Sequence, residues 1–257
     1  MLYLKSLTKL KNCEGYPFID LIKKFESIEF LNPITIFAGE NGSGKSTLLK
    51  IIATQMECVF TDNANKITCL QPGAFRIVKI KPRTSLHFSA ESFIRYINNF
   101  DRVYSETLKE IEQIKNSDEI SEDAKGYALM PYYRTLYEMQ NQYEGVLSEQ
   151  SHGEGFLDFF FSRLKDGGLY LIDEPEAALS YCNQYVLAYK IYTFAKEKNC
   201  QFIICTHSPI ISAIPDAQIY EISGNEIIKS SYNEVPSWFA KTNTVNLLFT
   251  AISPTKR

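Results

Sequence analysis

Gly39-Glu40-Asn41-Gly42-Ser43-Gly44-Lys45-Ser46-Thr47 stands between an apolar run, Ile34 to Phe37, and a segment whose Leu48, Leu49, Ile51 and Ile52 fall on one face of a helix. A strand, a glycine turn and a helix in that order, with the pattern G-x-x-x-x-G-K-[ST] across the turn, describe a loop that wraps an anion. Gly39, Gly42 and Gly44 let the backbone fold tightly enough for its N–H groups to converge on a phosphate. The helix beginning at Lys45 adds the positive end of its dipole. Lys45 is placed to meet the β- and γ-phosphates of a nucleoside triphosphate, and Ser46 to ligate Mg²⁺. Glu40, Asn41, Ser43 and Thr47 complete the cradle.

Working outward, Leu169 to Ile172 is a continuous apolar run that ends in Asp173-Glu174-Pro175. In a chain that already holds a phosphate loop, a carboxylate pair at a strand end gives Asp173 to the hydration shell of Mg²⁺ and Glu174 to the attacking water. Pro175 has no N–H and biases the residue before it toward extended backbone, so Glu174 is expected to leave the strand extended and directed into the site. A second buried run, Phe202 to Cys205, leads into Thr206-His207-Ser208-Pro209. If it is a neighbouring parallel strand, His207 ends beside the same phosphates, where an imidazole can sense the γ-phosphate. Ser151-His152-Gly153-Glu154-Gly155 precedes an apolar helix. Alone it reads as a capping box, with Ser151 as the cap and Glu154 reaching back. Among the other motifs, Ser151 and the Gly153 backbone read as a second anion-binding helix start, one unable to reach the nucleotide of its own loop.

The organisation is α/β. Short strands are expected at Leu2 to Leu7, Ile28 to Phe30, Ile34 to Phe37, Ile67 to Leu70 and Phe75 to Ile80, giving a β-rich lobe over residues 1–91. Residues 92–150 read as a helical subdomain, broken at Asn116 to Asp123. Residues 151–222 alternate helix and buried strand, as a parallel sheet wrapped by helices does. The long helix is expected over Leu179 to Lys196, with Leu179, Cys182, Val186 and Tyr189 facing inward. In the tail, 223–257, Gly224-Asn225 reads as a hairpin turn between Gln218 to Ile222 and Glu226 to Lys229.

The chain has 257 residues, 27 Lys and Arg against 30 Asp and Glu, and 45% hydrophobic residues. That is an ordinary globular composition for one domain with a subdomain. A net charge of −3 offers no overall attraction to a polyanion, so nucleic-acid contact needs a local patch such as Lys79, Lys81 and Arg83. Tyr127, Tyr132, Tyr133, Tyr137 and Tyr143 are better suited to packing or a protein partner than to nucleobases. Six cysteines without a C-x-x-C pair, and the lack of a signal-like or membrane-spanning apolar run, lead to the expectation of a cytoplasmic protein with no membrane insertion and no disulfide.

Taken together, the motifs resemble the ABC-type ATPase superfamily of P-loop NTPases. GENGSGKST is similar to its Walker A and LYLIDEP to its Walker B with the adjacent catalytic glutamate. EAALS, Glu176 to Ser180, is similar to its D-loop, THS to its histidine switch and SHGEG to a variant of its signature. The resemblance covers about residues 15 to 222 and is nearer to chromosome-maintenance and recombination ATPase heads than to exporters. It implies an ABC ATPase-like head with a parallel core sheet, an N-terminal antiparallel β-subdomain and an inserted helical subdomain. It also implies ATP and Mg²⁺ as ligands, and a nucleotide-dependent homodimer in which Ser151 of one chain closes the site of the other around ATP. Hydrolysis would then act on an unidentified protein partner. Glu91, at the strand-to-helix junction Phe88 to Ser92, is favoured over Gln71 for the glutamine that family members use at the metal. Tyr16 is the candidate for adenine stacking. His152 and Glu154 depart from the signature, and the interval from Lys45 to Ser151 has no room for a long coiled coil.

Three rival functions use parts of the same pattern. The ATP-binding subunit of a membrane transporter shares the nucleotide chemistry, but the altered signature argues against it. A P-loop kinase needs neither signature helix nor strand-end histidine. A nucleic-acid-associated ATPase of a defence or repair assembly would reveal itself by stimulation with DNA or RNA.

Overall fold

Ile34–Gly39, Gly168–Asp173 and Gln201–Thr206 are buried at every position. Only strands covered on both faces can be so. The computed structural model describes residues 1–61, 66–68, 70–117, 121–142 and 152–232. Along it run β1 (Leu4–Lys9), α1 (Asp20–Lys24), β2 (Ser27–Glu29), β3 (Ile34–Gly39), α2 (Lys45–Gln55), β4 (Val59–Phe60), β5 (Phe75–Lys79) and β6 (Thr84–Ser89). Then come α3 (Ala90–Lys115), α4 (Glu122–Gln142), α5 (His152–Phe161), β7 (Gly168–Asp173), a 3-10 turn at Pro175–Ala178 and α6 (Tyr181–Glu197). The described chain closes with β8 (Gln201–Thr206), α7 (Pro209–Ser212), β9 (Gln218–Ser223) and β10 (Glu226–Ser230).

The main sheet has the order β10-β9-β3-β8-β7-β6-β4, parallel throughout except for the β9-β10 hairpin at its edge. Because side chains alternate along a strand, each central strand feeds two cores. Ile34, Ile36, Tyr170, Ile172, Phe202 and Ile204 join one core with α3, α5, α6 and α7. Phe37, Leu169, Leu171, Ile203 and Cys205 join the other with α1, α2 and the small antiparallel sheet β2-β1-β5. The first core is aromatic: Phe88 meets Phe93, Phe156, Phe159 and Phe160 at ring-centroid distances of 4.9–6.2 Å, which fixes α3 and α5 to the sheet.

Two buried glutamines stitch the small sheet to the large one. Gln201 Oε1 accepts the N–H groups of Tyr3 and Leu4 at 2.7 and 2.8 Å, and its Nε2 donates to Leu4 O at 2.9 Å. Gln218 Oε1 accepts from Leu31 N–H, and its Nε2 donates to Glu29 O, each at 2.8 Å. Each satisfies backbone groups that would otherwise be stranded at the junction of two sheets.

Several expectations are corrected. No strand forms at Ile67 to Leu70: Ile67 is buried in a loop ahead of the Gln71-to-Ala74 turn, and residue 69 lies outside the described residues. The strands β4 and β6, at one edge of the main sheet, are not among those expected. Leu179 is buried but precedes α6, whose cap is Ser180, and Cys182, Val186 and Tyr189 are exposed. The inward face is Gln184, Leu187, Ala188, Ile191 and Ala195; Leu179, from which the expected face was phased, lies outside the helix. Tyr127, Tyr133 and Tyr137 are exposed, whereas Tyr143 and the tail at 233–257 lie outside the described residues. The described cysteines are free, and no helix among the described residues is long and apolar enough to cross a membrane.

The corrected face of α6 separates two truncations on adjacent residues. Leu187→Ala is expected to cost about 2–5 kcal/mol of unfolding free energy and Val186→Ala less than about 1 kcal/mol, as read from urea denaturation midpoints at equal slope.

Candidate active site

Parallel register brings the motifs to one edge of the sheet. Ala38 of β3 lies beside Thr206 of β8, Cys205 beside Asp173 of β7, and Asp173 beside Ser89 of β6. Four neighbouring strands therefore release the glycine loop, the His207 segment, the Asp173-Glu174 pair and the Ser89-Ala90-Glu91 junction from their C-terminal ends. Open α/β sheets bind ligands at that end.

The loop turns into α2 at Gly44, whose φ of +96° suits glycine. A Cβ there would lie 2.7 Å from Ile19 Cδ1. At Gly39 the constraint is proximity: a Cβ would sit 2.5 Å from the carbonyl oxygen of Ile222 on β9. No side chain caps α2 and no acid occupies its first turn, so no side chain competes with a phosphate for the leading N–H groups. Lys45 is almost fully buried and donates from Nζ to Gly39 O at 2.8 Å and Glu40 O at 2.7 Å. The same ammonium lies 3.7 Å from Glu174 Oε1.

Ser46 Oγ donates to Asp173 Oδ1 at 2.9 Å. This joins the start of α2 to the end of β7. Burial pushes the Asp173 carboxyl up to about 6; Ser46 opposes that rise, Glu174 adds to it, and Lys50 and Lys45 oppose it. Lys50 was not singled out in the sequence, although it stands one helical turn beyond Ser46 on the same face. A hydroxyl and a carboxylate meeting at the phosphate loop are hard oxygen donors of the kind Mg²⁺ takes, with phosphate and water filling its remaining positions.

Glu174 departs from expectation. Its backbone is left-handed, φ 45° and ψ 54°, not extended. Its N–H donates to Cys205 O at 2.9 Å, holding it to β8 while the chain turns sharply into Pro175. A non-glycine residue there stores about 1–3 kcal/mol, as residues at reacting centres often do. His207 follows β8 directly. Its backbone N–H donates to Glu176 Oε1 at 2.6 Å, and its Nδ1 lies 3.0 Å from the same oxygen. The Glu176 carboxylate raises the imidazole's proton affinity; burial opposes this, Glu174 reinforces it and Lys45 opposes it. Sequence reading had placed Glu176 only in the D-loop. An acid two residues beyond Glu174 was the available signal.

Other candidates are less engaged. Glu91, in the first turn of α3, accepts from Arg95 at 2.9 Å on an exposed surface, while Ser89 is the residue beside Asp173. Gln71 accepts through its backbone in a Pro-Gly turn. Tyr16 is half-exposed, and the nearby Ile19 and Leu21 pack on Gly44, so its segment runs against the phosphate loop. Gly153 lies in the first turn of α5, and Ser151 falls outside the described residues.

Residues 89–212 match the family described as AAA ATPase domain, a stretch that holds β7, β8 and His207 and leaves out the glycine loop. Among solved structures, a chain of an inward-facing metal-chelate type ABC transporter shares 15% identity at a TM-score of 0.51. The match covers 97% of this chain and 90% of that one. A Smc head domain of Pyrococcus furiosus, with an extended coiled coil and bound to the C-terminal domain of ScpA, shares 13% identity over 89% and 96% at a TM-score of 0.49. A dimeric ABC transporter cassette shares 17% over 89% and 97% at 0.48. No curated protein matches the sequence.

Gly39→Ala forces β3 and β9 apart before any ligand is present. It is expected to lower the nucleotide-free protein by roughly 2 kcal/mol, or about 4–8 °C in melting midpoint, measured by calorimetry.

Proposed function

We propose that this chain is a P-loop ATPase of the ABC type that holds ATP at its glycine loop, hydrolyses it between two head-to-tail copies in the cytoplasm, and uses the pairing to change the conformation of a protein partner. The reading is carried by one convergence. A buried lysine, a serine–aspartate hydrogen bond and a strained glutamate meet at adjacent strand ends, with an imidazole beside them.

Lys45 and the backbone amides of residues 39–47 take the phosphates, and Tyr16 takes the adenine. Ser46 and Asp173 fit Mg²⁺, which when bound would neutralise charge on the β- and γ-phosphate oxygens. An arriving triphosphate competes with Glu174 for the Lys45 ammonium, leaving that carboxylate to accept the proton of the attacking water. The water oxygen bonds to the γ-phosphorus as the bridge to ADP breaks, and His207 stabilises the charge on the γ-phosphate. Ser151 and the Gly153 backbone of the opposite copy seal the site. The fit of Gly39 and Lys45 to a phosphate, together with the AAA ATPase domain match, supports hydrolysis; the resemblance to ABC heads supports pairing.

Glu174→Gln keeps the shape of the site and removes its base. It is expected to bind ATP, to turn over about 10²- to 10⁴-fold more slowly and to accumulate as a dimer by light scattering with Mg-ATP. A monomer at saturating Mg-ATP would overturn the pairing, and a wild-type chain without affinity for ATP would overturn the whole reading.

A further inference from the structure

We infer that Glu176 is a positioning residue for His207, anchoring its backbone N–H and placing a carboxylate beside Nδ1, so that Nε2 is left for the γ-phosphate side of the site; this rests on the ATPase reading above.

Glu176 sits on the 3-10 turn at Pro175–Ala178, two residues beyond Glu174. Its side chain is 6% exposed, against 40% for His207. A carboxylate so enclosed is costly unless something pairs with it. Its Oε1 takes the His207 backbone N–H at 2.6 Å and lies 3.0 Å from Nδ1, an ion-pair distance without hydrogen-bond alignment, while Oε2 is buried with no hydrogen-bond donor among the described residues. The compensation for burying Glu176 therefore falls on His207. The carboxylate satisfies the His207 backbone N–H, a structural role that an amide could fill equally well; its charge beside the ring is what an amide would not supply.

The arrangement has a chemical consequence. A carboxylate on one ring nitrogen fixes the tautomer and orientation of a histidine and leaves the other nitrogen to work. Three charged groups bear on the ring: Glu176 and Glu174 favour its cation, and Lys45 opposes it. Only the cation carries a donor at Nε2 while Nδ1–H faces Glu176, so the form that the two carboxylates favour is the one that can donate to a γ-phosphate.

Glu176→Gln tests this, since the amide oxygen still accepts the His207 N–H but the charge is gone. In the variant, the His207 resonance in an NMR pH titration is expected to reach its midpoint at lower pH. The value of kcat is expected to fall about 10- to 100-fold with KM for ATP within about twofold, and Glu176→Asp to recover part of it. His87 is buried and held neutral, its midpoint pushed down to about 3, so only His152 and His207 need assignment, which His207→Gln provides. An unchanged His207 midpoint with unchanged kcat would overturn the inference, as would a loss of kcat matched by a fall in melting temperature. If the wild-type chain hydrolyses no ATP, the functional reading fails, and the titration still decides whether Glu176 governs His207.

Discussion

The 2.9 Å hydrogen bond from Ser46 to Asp173 is where the fold and the chemistry meet. Its two ends belong to α2 and β7, and β3, the strand that leads into α2, is separated from β7 in the sheet by β8. Asp173 shares the parity of Leu169 and Leu171, which face the core that α2 covers. A slip of one residue in the register of β7 would carry Asp173 to the opposite face, among the aromatic rings around Phe88. His207, in step with Ile203 and Cys205, depends on the same register. The apolar alternation of β3, β7 and β8 therefore selects the side of the sheet on which all three functional groups emerge.

The central strands and the glycine loop were legible because their signals are local. Ile34 to Phe37, Leu169 to Ile172 and Phe202 to Cys205 are unbroken apolar runs, and the hairpin β9-β10 announces itself with Gly224-Asn225. Helix α6 was misphased because Leu179 is apolar and buried yet lies outside the helix, while Val186 and Tyr189 are apolar and exposed. Only Ser180, with its side chain accepting from the Asn183 N–H, fixes the start. The strand Thr84–Ser89 was read only at its end, since Thr, Ser and His dilute its apolar character. Gln201 and Gln218 were silent for a different reason. A glutamine is an ordinary surface residue until a strand edge from elsewhere in the chain presents N–H and C=O groups to it.

The same limit applies at the site. Lys45, Ser46, Asp173 and Glu174 stand in motifs, and their convergence at one end of the sheet could be expected from spacing. The left-handed backbone of Glu174 does not, because the preference of a residue before proline points the other way. It is imposed by a hydrogen bond to Cys205, on the adjacent strand, and by the sharp entry into the 3-10 turn. Glu176 was legible as a member of a motif and illegible as a partner of His207, since that contact joins two strand ends far apart in sequence.

The energetics of the site follow from where these groups sit. Lys45 and Asp173 are buried and Glu174 is strained, so each opposes folding. Two apolar cores on either side of one sheet offset that opposition, and the site is thereby fixed before any ligand arrives. Lys45 is satisfied by Gly39 and Glu40 carbonyls that belong to the phosphate loop itself, and more distantly by Glu174. An anionic phosphate offers the ammonium a stronger, charge-assisted partner at the same place. Binding then needs little reorganisation of the backbone, and its main electrostatic effect within the chain is to loosen the hold of Lys45 on Glu174. In the proposed mechanism, occupancy by a phosphate is coupled to the freedom of Glu174, because both compete for the single Lys45 ammonium.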